Sequence, residues 1–151
     1  MLGNERGVTL MVVLVVVVVL GMTAGIAGTT WTSVMQQARE EQLLFRGDQY
    51  RRAIGGYFAA GTGDYPLRLE DLLRDPRYPG IVRHLRQLYP EPMPNSEWEL
   101  ILDPQDRIRG VRSSSTDKPF KKKNFPDEYL KFERAETYHD WEFIFQTSSD
   151  Q

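Results

Sequence analysis

The sequence predicts an α+β protein: a long N-terminal helix, transmembrane in its first half, packed on a small head of short helices and an approximately three-stranded antiparallel sheet. Three observations predict it. No charged side chain stands between Arg6 and Arg39. No proline interrupts the chain from Val8 to Ala60. Beyond it, Trp98–Asp103, Arg107–Arg112 and Asp140–Phe145 read as short strands. The implied division is a leader at 1–7, the long helix at 8–60 with its membrane part at about 8–31, and a globular head at 61–151.

Val12 to Leu20 is an unbroken run of Val and Leu, and the uncharged stretch around it exceeds the roughly 20 residues needed to cross a bilayer core. Valine forms helices poorly in water because its branched Cβ loses rotamer freedom. Lipid removes that objection, since a lone segment there can bond all its backbone groups only as a helix. Gly21, Gly25 and Gly28 fall at steps of four and three, giving one small-residue face. Such a face admits a second helix at close range, or loosens the helix during assembly. A secretory signal cleaved near Gly25-Ile26-Ala27 is the competing reading. Against it, the apolar stretch outruns the usual signal core and an amphipathic pattern follows at once.

That pattern places Leu43, Gly47, Tyr50, Ile54 and Tyr57 at steps of four, three, four and three, with Leu44 and Phe58 beside them. One stripe of the helix is therefore apolar, while Arg39, Glu40, Glu41, Arg46, Asp48, Arg51 and Arg52 take the other faces. At 1.5 Å per residue the span from Val8 to Ala60 would form a rod of roughly 80 Å.

Gly61-Thr62-Gly63-Asp64 reads as a helix stop and turn. Leu67–Arg74 reads as a short helix, closed by Pro76, and Pro79 suits the first position of another running through Ile81, Val82, Leu85 and Leu88. Pro90, Pro92 and Pro94 keep the chain extended. In the first strand Trp98, Leu100 and Leu102 share a face, and Gly110 marks a candidate bulge in the second. Ser113–Asp127 is a polar loop, and Trp141, Phe143 and Phe145 share a face of the last strand.

Composition narrows the function. From Arg39 onward 113 residues remain, enough for one small domain. A net charge of −2, with cations balanced locally by carboxylates, gives no case for nucleic acid as a partner. The absence of cysteine excludes a disulfide framework and a thiolate metal site. His84 and His139 lack a zinc-motif spacing and read as surface or helix-face residues. Ser113-Ser114-Ser115-Thr116 has no glycine elbow, Gly61-Thr62-Gly63 has no strand context for a phosphate cradle, and Lys121–Lys123 reads as a solvated loop. No catalytic residue is expected.

Gly7 before an apolar Val-Thr-Leu-Met segment resembles the processing signal of type IV pilins and type II secretion pseudopilins. Asp64-Tyr65-Pro66, then Leu69-Glu70-Asp71-Leu72-Leu73, Leu88-Tyr89-Pro90 and Trp98-Glu99-Leu100 follow an order similar to that in major pseudopilin heads. The resemblance covers most of residues 7–112. It implies cleavage after Gly7 by a prepilin peptidase, N-methylation of Val8, and assembly through the N-terminal helix at Val12, Gly21, Gly25 and Gly28. It further implies residence in a bacterial inner membrane, single-pass, with the head in the periplasm. The implied partners are like subunits, an inner-membrane assembly platform and the lipid bilayer.

Three positions depart from the family pattern. Val8 replaces the usual Phe at the first mature position, Val12 replaces the Glu at the fifth, and Thr29 stands near the usual proline. A missing Glu is known in the family from the minor subunit at the fibre tip, so a tip role is an alternative, beside a signal-anchored periplasmic binding or enzyme domain. Family members also carry calcium in a C-terminal loop. Here Asp117, Asp127 and Glu128 share that loop with Lys118, Lys121, Lys122 and Lys123, which disfavours calcium, and no cofactor is expected.

Overall fold

A computed structural model describes the backbone of residues 4–147 and the side chains of residues 7–22 and 32–147. Helix α1 spans Asn4–Ala60. The chain divides into two compact units between Gln37 and Ala38.

In the first unit the described side chains belong to α1 alone. The large apolar ones from Val8 to Met22 are all exposed, from 47% at Val18 to 71% at Met11. The expectation of a transmembrane first half is corrected here, because among the described residues no helix is long and apolar enough to cross a membrane.

The second unit is built on the last turns of α1. Leu43, Tyr50, Ile54 and Tyr57 are at most 4% exposed, so the apolar stripe is the face that carries the core. Gly47 belongs to that stripe because the Phe143 ring lies where a Cβ would stand. At the C-terminus of α1, Arg77 Nη2 donates to the Tyr57 carbonyl at 2.7 Å and the Tyr78 hydroxyl donates to the Ala60 carbonyl. Side chains from the following loop thus satisfy carbonyls that the helix itself leaves open. Gly63, at φ +86°, makes the turn away, a conformation that costs glycine little.

Strands β1 (Trp98–Leu102), β2 (Ile108–Ser113) and β3 (Glu142–Ile144) form an antiparallel sheet in the order β1-β2-β3. Leu100, Val111 and Phe143 are in register across it. Val111 and Phe143 are fully buried, whereas Leu100 on the edge strand is 45% exposed. The register shifts between Ile101 and Leu102, opposite Gly110 and Ile108. Gly110 is needed for close approach: a Cβ there would stand 2.5 Å from the Phe143 carbonyl oxygen. The turn between β1 and β2 is held by Asp103, whose Oδ1 accepts the N–H groups of Gln105 and Arg107 at 2.9 and 2.8 Å.

Elsewhere the structure departs from the pattern reading. The short helix shrinks to a 3-10 turn at Leu69–Leu72, and residues 79–88 form no helix. The backbone there bonds sideways instead: Asp75 N–H to Val82 O, and His84 and Leu85 N–H to Leu72 O. Two 3-10 helices, Asp127–Arg134 and Tyr138–Asp140, were not expected. They bring Tyr129, Phe132 and Tyr138 into the core, where the Phe132 ring stacks on Trp141 at 5.2 Å. The last strand is accordingly shorter than expected, with Trp141 leading into it.

Candidate assembly surface and the polar clusters of the head

The assembly residues named from sequence lie on α1. Val8 and Val12 are 58% and 56% exposed, and Val8, Met11, Val12, Val15 and Val16 line one shallow apolar hollow. A Cβ at Gly7 or Gly21 would meet nothing within 4 Å, so neither glycine is held by contacts in this unit. Gly25 and Gly28 lie outside the residues whose side chains are described. The face is uncharged and presents branched side chains at helical spacing. Its chemistry is apolar contact with another surface, without a reacting group.

The head carries a buried polar cluster that the sequence reading missed. Asp75 is fully buried and accepts from Arg77 Nη2 at 2.6 Å, Arg77 Nε at 2.8 Å and the Arg77 N–H at 3.0 Å. His84 Nε2 lies 3.0 Å from the same carboxylate, and its ring meets Tyr57 edge-on at 5.5 Å. The bonds from Arg77 hold the Asp75 carboxyl well below the ordinary carboxylate range, against the opposing effect of burial. The Arg77 guanidinium also sits 3.6 Å over the Tyr57 ring. His84 is therefore a bonded histidine wedged against α1, and its expected surface place is corrected. An Asp-x-Arg pair beside a proline was the available signal.

A second cluster joins α1 to the Asp127–Arg134 helix. Arg51 Nη2 lies 2.9 Å from Asp48 and 3.1 Å from Glu128, and the Tyr129 hydroxyl donates to Asp48 at 2.5 Å. Burial, then the Asp48 bond, raises the Tyr129 phenol above its ordinary range. Two glutamates, Glu40 buried and Glu91 half-buried, have no cation in bonding contact among the described residues. Glu40 accepts the Lys121 N–H at 2.8 Å, and Glu91 accepts the Ser113 hydroxyl at 2.6 Å and the Met93 N–H at 2.7 Å. Desolvation pushes both carboxyls up.

The loop considered for calcium is otherwise occupied. Glu128 faces Arg51, and Asp117 gives its carbonyl to the Tyr138 N–H at 3.0 Å. Among the described residues no group of three or more His, Cys, Asp or Glu side chains could hold a metal ion. The lysine run is not uniformly solvated: Lys121 Nζ lies 4.9 Å over Phe125 and Lys122 Nζ donates to the Ala135 carbonyl at 3.1 Å. No family model, curated protein or solved structure matches the chain.

Proposed function

We propose that the chain is a pseudopilin-like structural subunit that polymerises through its N-terminal helical segment, with no catalytic role. The observation that carries this reading is the exposed apolar sleeve from Val8 to Met22, which bears no charge and is left uncovered in its own unit. Contiguous apolar surface of that extent marks an interaction site, and the same segments of neighbouring subunits are its natural cover. Gly7 immediately before the sleeve supports removal of the leader by a prepilin peptidase, with Val8 as the methylated first residue. With Val12 in place of a carboxylate, packing and not a charge pair holds neighbours together at that position.

A photo-crosslinking residue placed at Val12 tests the proposal in cells that make the protein. The expected product is a ladder of homo- or hetero-subunit crosslinks whose peptides begin at Val8 with an N-methyl group. Crosslinks to no other subunit, or peptides that retain Met1 or begin at Gly28, overturn it.

A further inference from the structure

Among the described residues no strand pairs with the outer edge of β3. Phe143 pairs with Val111, and the Phe145 N–H donates to the Arg109 carbonyl at 3.2 Å. In an antiparallel ladder alternate residues exchange both bonds with the neighbour, so the backbone groups of Glu142 and Ile144 point away from β2. Along this edge runs a groove of about 620 Å³, closed on its far side by the Asp127–Arg134 helix. That size lies in the range of binding clefts, roughly 300–1,000 Å³.

We propose that this groove receives an extended basic segment of a partner protein, which adds to β3 as a fourth strand. Strand addition uses main-chain bonds for affinity and alternate side chains for selectivity. Charge selects the occupant. Asp127, Glu128, Asp140 and Glu142 line the groove against only Arg51 and Lys131, an excess of two carboxylates. Arg51 is already held between Asp48 and Glu128, Glu142 lies 3.4 Å from Arg112 Nη1, and Asp140 Oδ2 accepts the Glu136 and Thr137 N–H groups, which leaves Asp127 as the exposed carboxylate of the four with no such partner among the described residues. Apolar side chains have partners as well: Leu130, 53% exposed, and Ile144 both line the groove. An incoming strand that alternates apolar and basic residues satisfies the edge, the apolar lining and the carboxylates together.

The test uses the full chain in mild non-ionic detergent and three labelled hexapeptides. One alternates Lys and Val, one alternates Glu and Val, and one is the Lys-Val peptide with alternate amides N-methylated. The Lys-Val peptide is expected to bind at least about tenfold more tightly than the other two, a margin of about 1.4 kcal/mol. Its binding should weaken with salt and slow hydrogen exchange at the amides of Glu142 and Ile144. Asp127→Lys, a change at an exposed side chain that leaves the core untouched, should abolish the preference for Lys over Glu. Equal binding of the three peptides, no binding, unchanged exchange at those amides, or an unchanged preference in the variant each overturns the proposal. So does protection of those amides without peptide, which would give the edge to a second copy of the chain.

Discussion

Asp75 shows how much one side chain carries in the head. It accepts three bonds from Arg77 and sits beside His84 with no exposure to solvent. Removing its charge leaves Arg77 facing the Tyr57 carbonyl without a counterion. Asp75→Asn is therefore expected to cost about 3 kcal/mol in denaturant unfolding at neutral pH, the scale for breaking a buried pair. The pH dependence has a definite sign. Because the folded carboxyl is held below its unfolded value of about 3.9, its contribution is complete above that pH and is lost as pH falls toward the folded value. The variant should show a flatter acid limb than the wild type. Glu40 and Glu91 act in the opposite sense: burial raises them, so they favour the fold below about 4.3 and lose that contribution as pH rises through their raised values. An equal acid slope in Asp75→Asn and wild type would show that Asp75 does not set it.

At the scale of the element, the stripe on α1 was legible because helical spacing alone puts Leu43, Tyr50, Ile54 and Tyr57 on one face. The strands were legible from alternation, and Gly110 from its place within it. The 3-10 segments were not, since Asp127–Arg134 sets only Tyr129 and Phe132, three apart, among charged residues, too few buried apolar positions to define a period. The helix expected at 79–88 failed for a non-local reason. His84 and Leu85 bond the Leu72 carbonyl, and His84 reaches Asp75, so tertiary bonds outcompete a weak local preference. Two glycines of α1 separate packing from propensity. Gly47→Ala drives a methyl into the buried Phe143 ring and should destabilise by about 1–3 kcal/mol. Gly56→Ala meets only His84 Nδ1 at 3.4 Å on an exposed face and should be neutral or stabilise by up to about 1 kcal/mol. Thermal melts of both variants decide, and equal shifts would mean that the Phe143 contact does not constrain the helix.

At the scale of the whole chain, the sequence announced two kinds of surface, one apolar all round and one patterned. Where the first was expected to span a membrane, no helix among the described residues is long and apolar enough to do so. Among the described residues the buried apolar core lies at Leu43 or beyond, within the unit that begins at Ala38. A fragment of residues 38–151 should therefore be a soluble monomer with one cooperative melt. Aggregation, or a melt without a sharp transition, would show that the first unit contributes to folding. The caps at the end of α1 have a further consequence for that melt. Arg77 and Tyr78 close the Tyr57 and Ala60 carbonyls, while Asp75 and His84 bind Arg77 and its loop in place. The last helical turn and the irregular chain from Asp75 to Leu85 consequently form one unit of local opening. Amides such as those of His84 and Leu85 should exchange with the same free energy as those of the last turn of α1, although one segment is helical and the other has no regular structure.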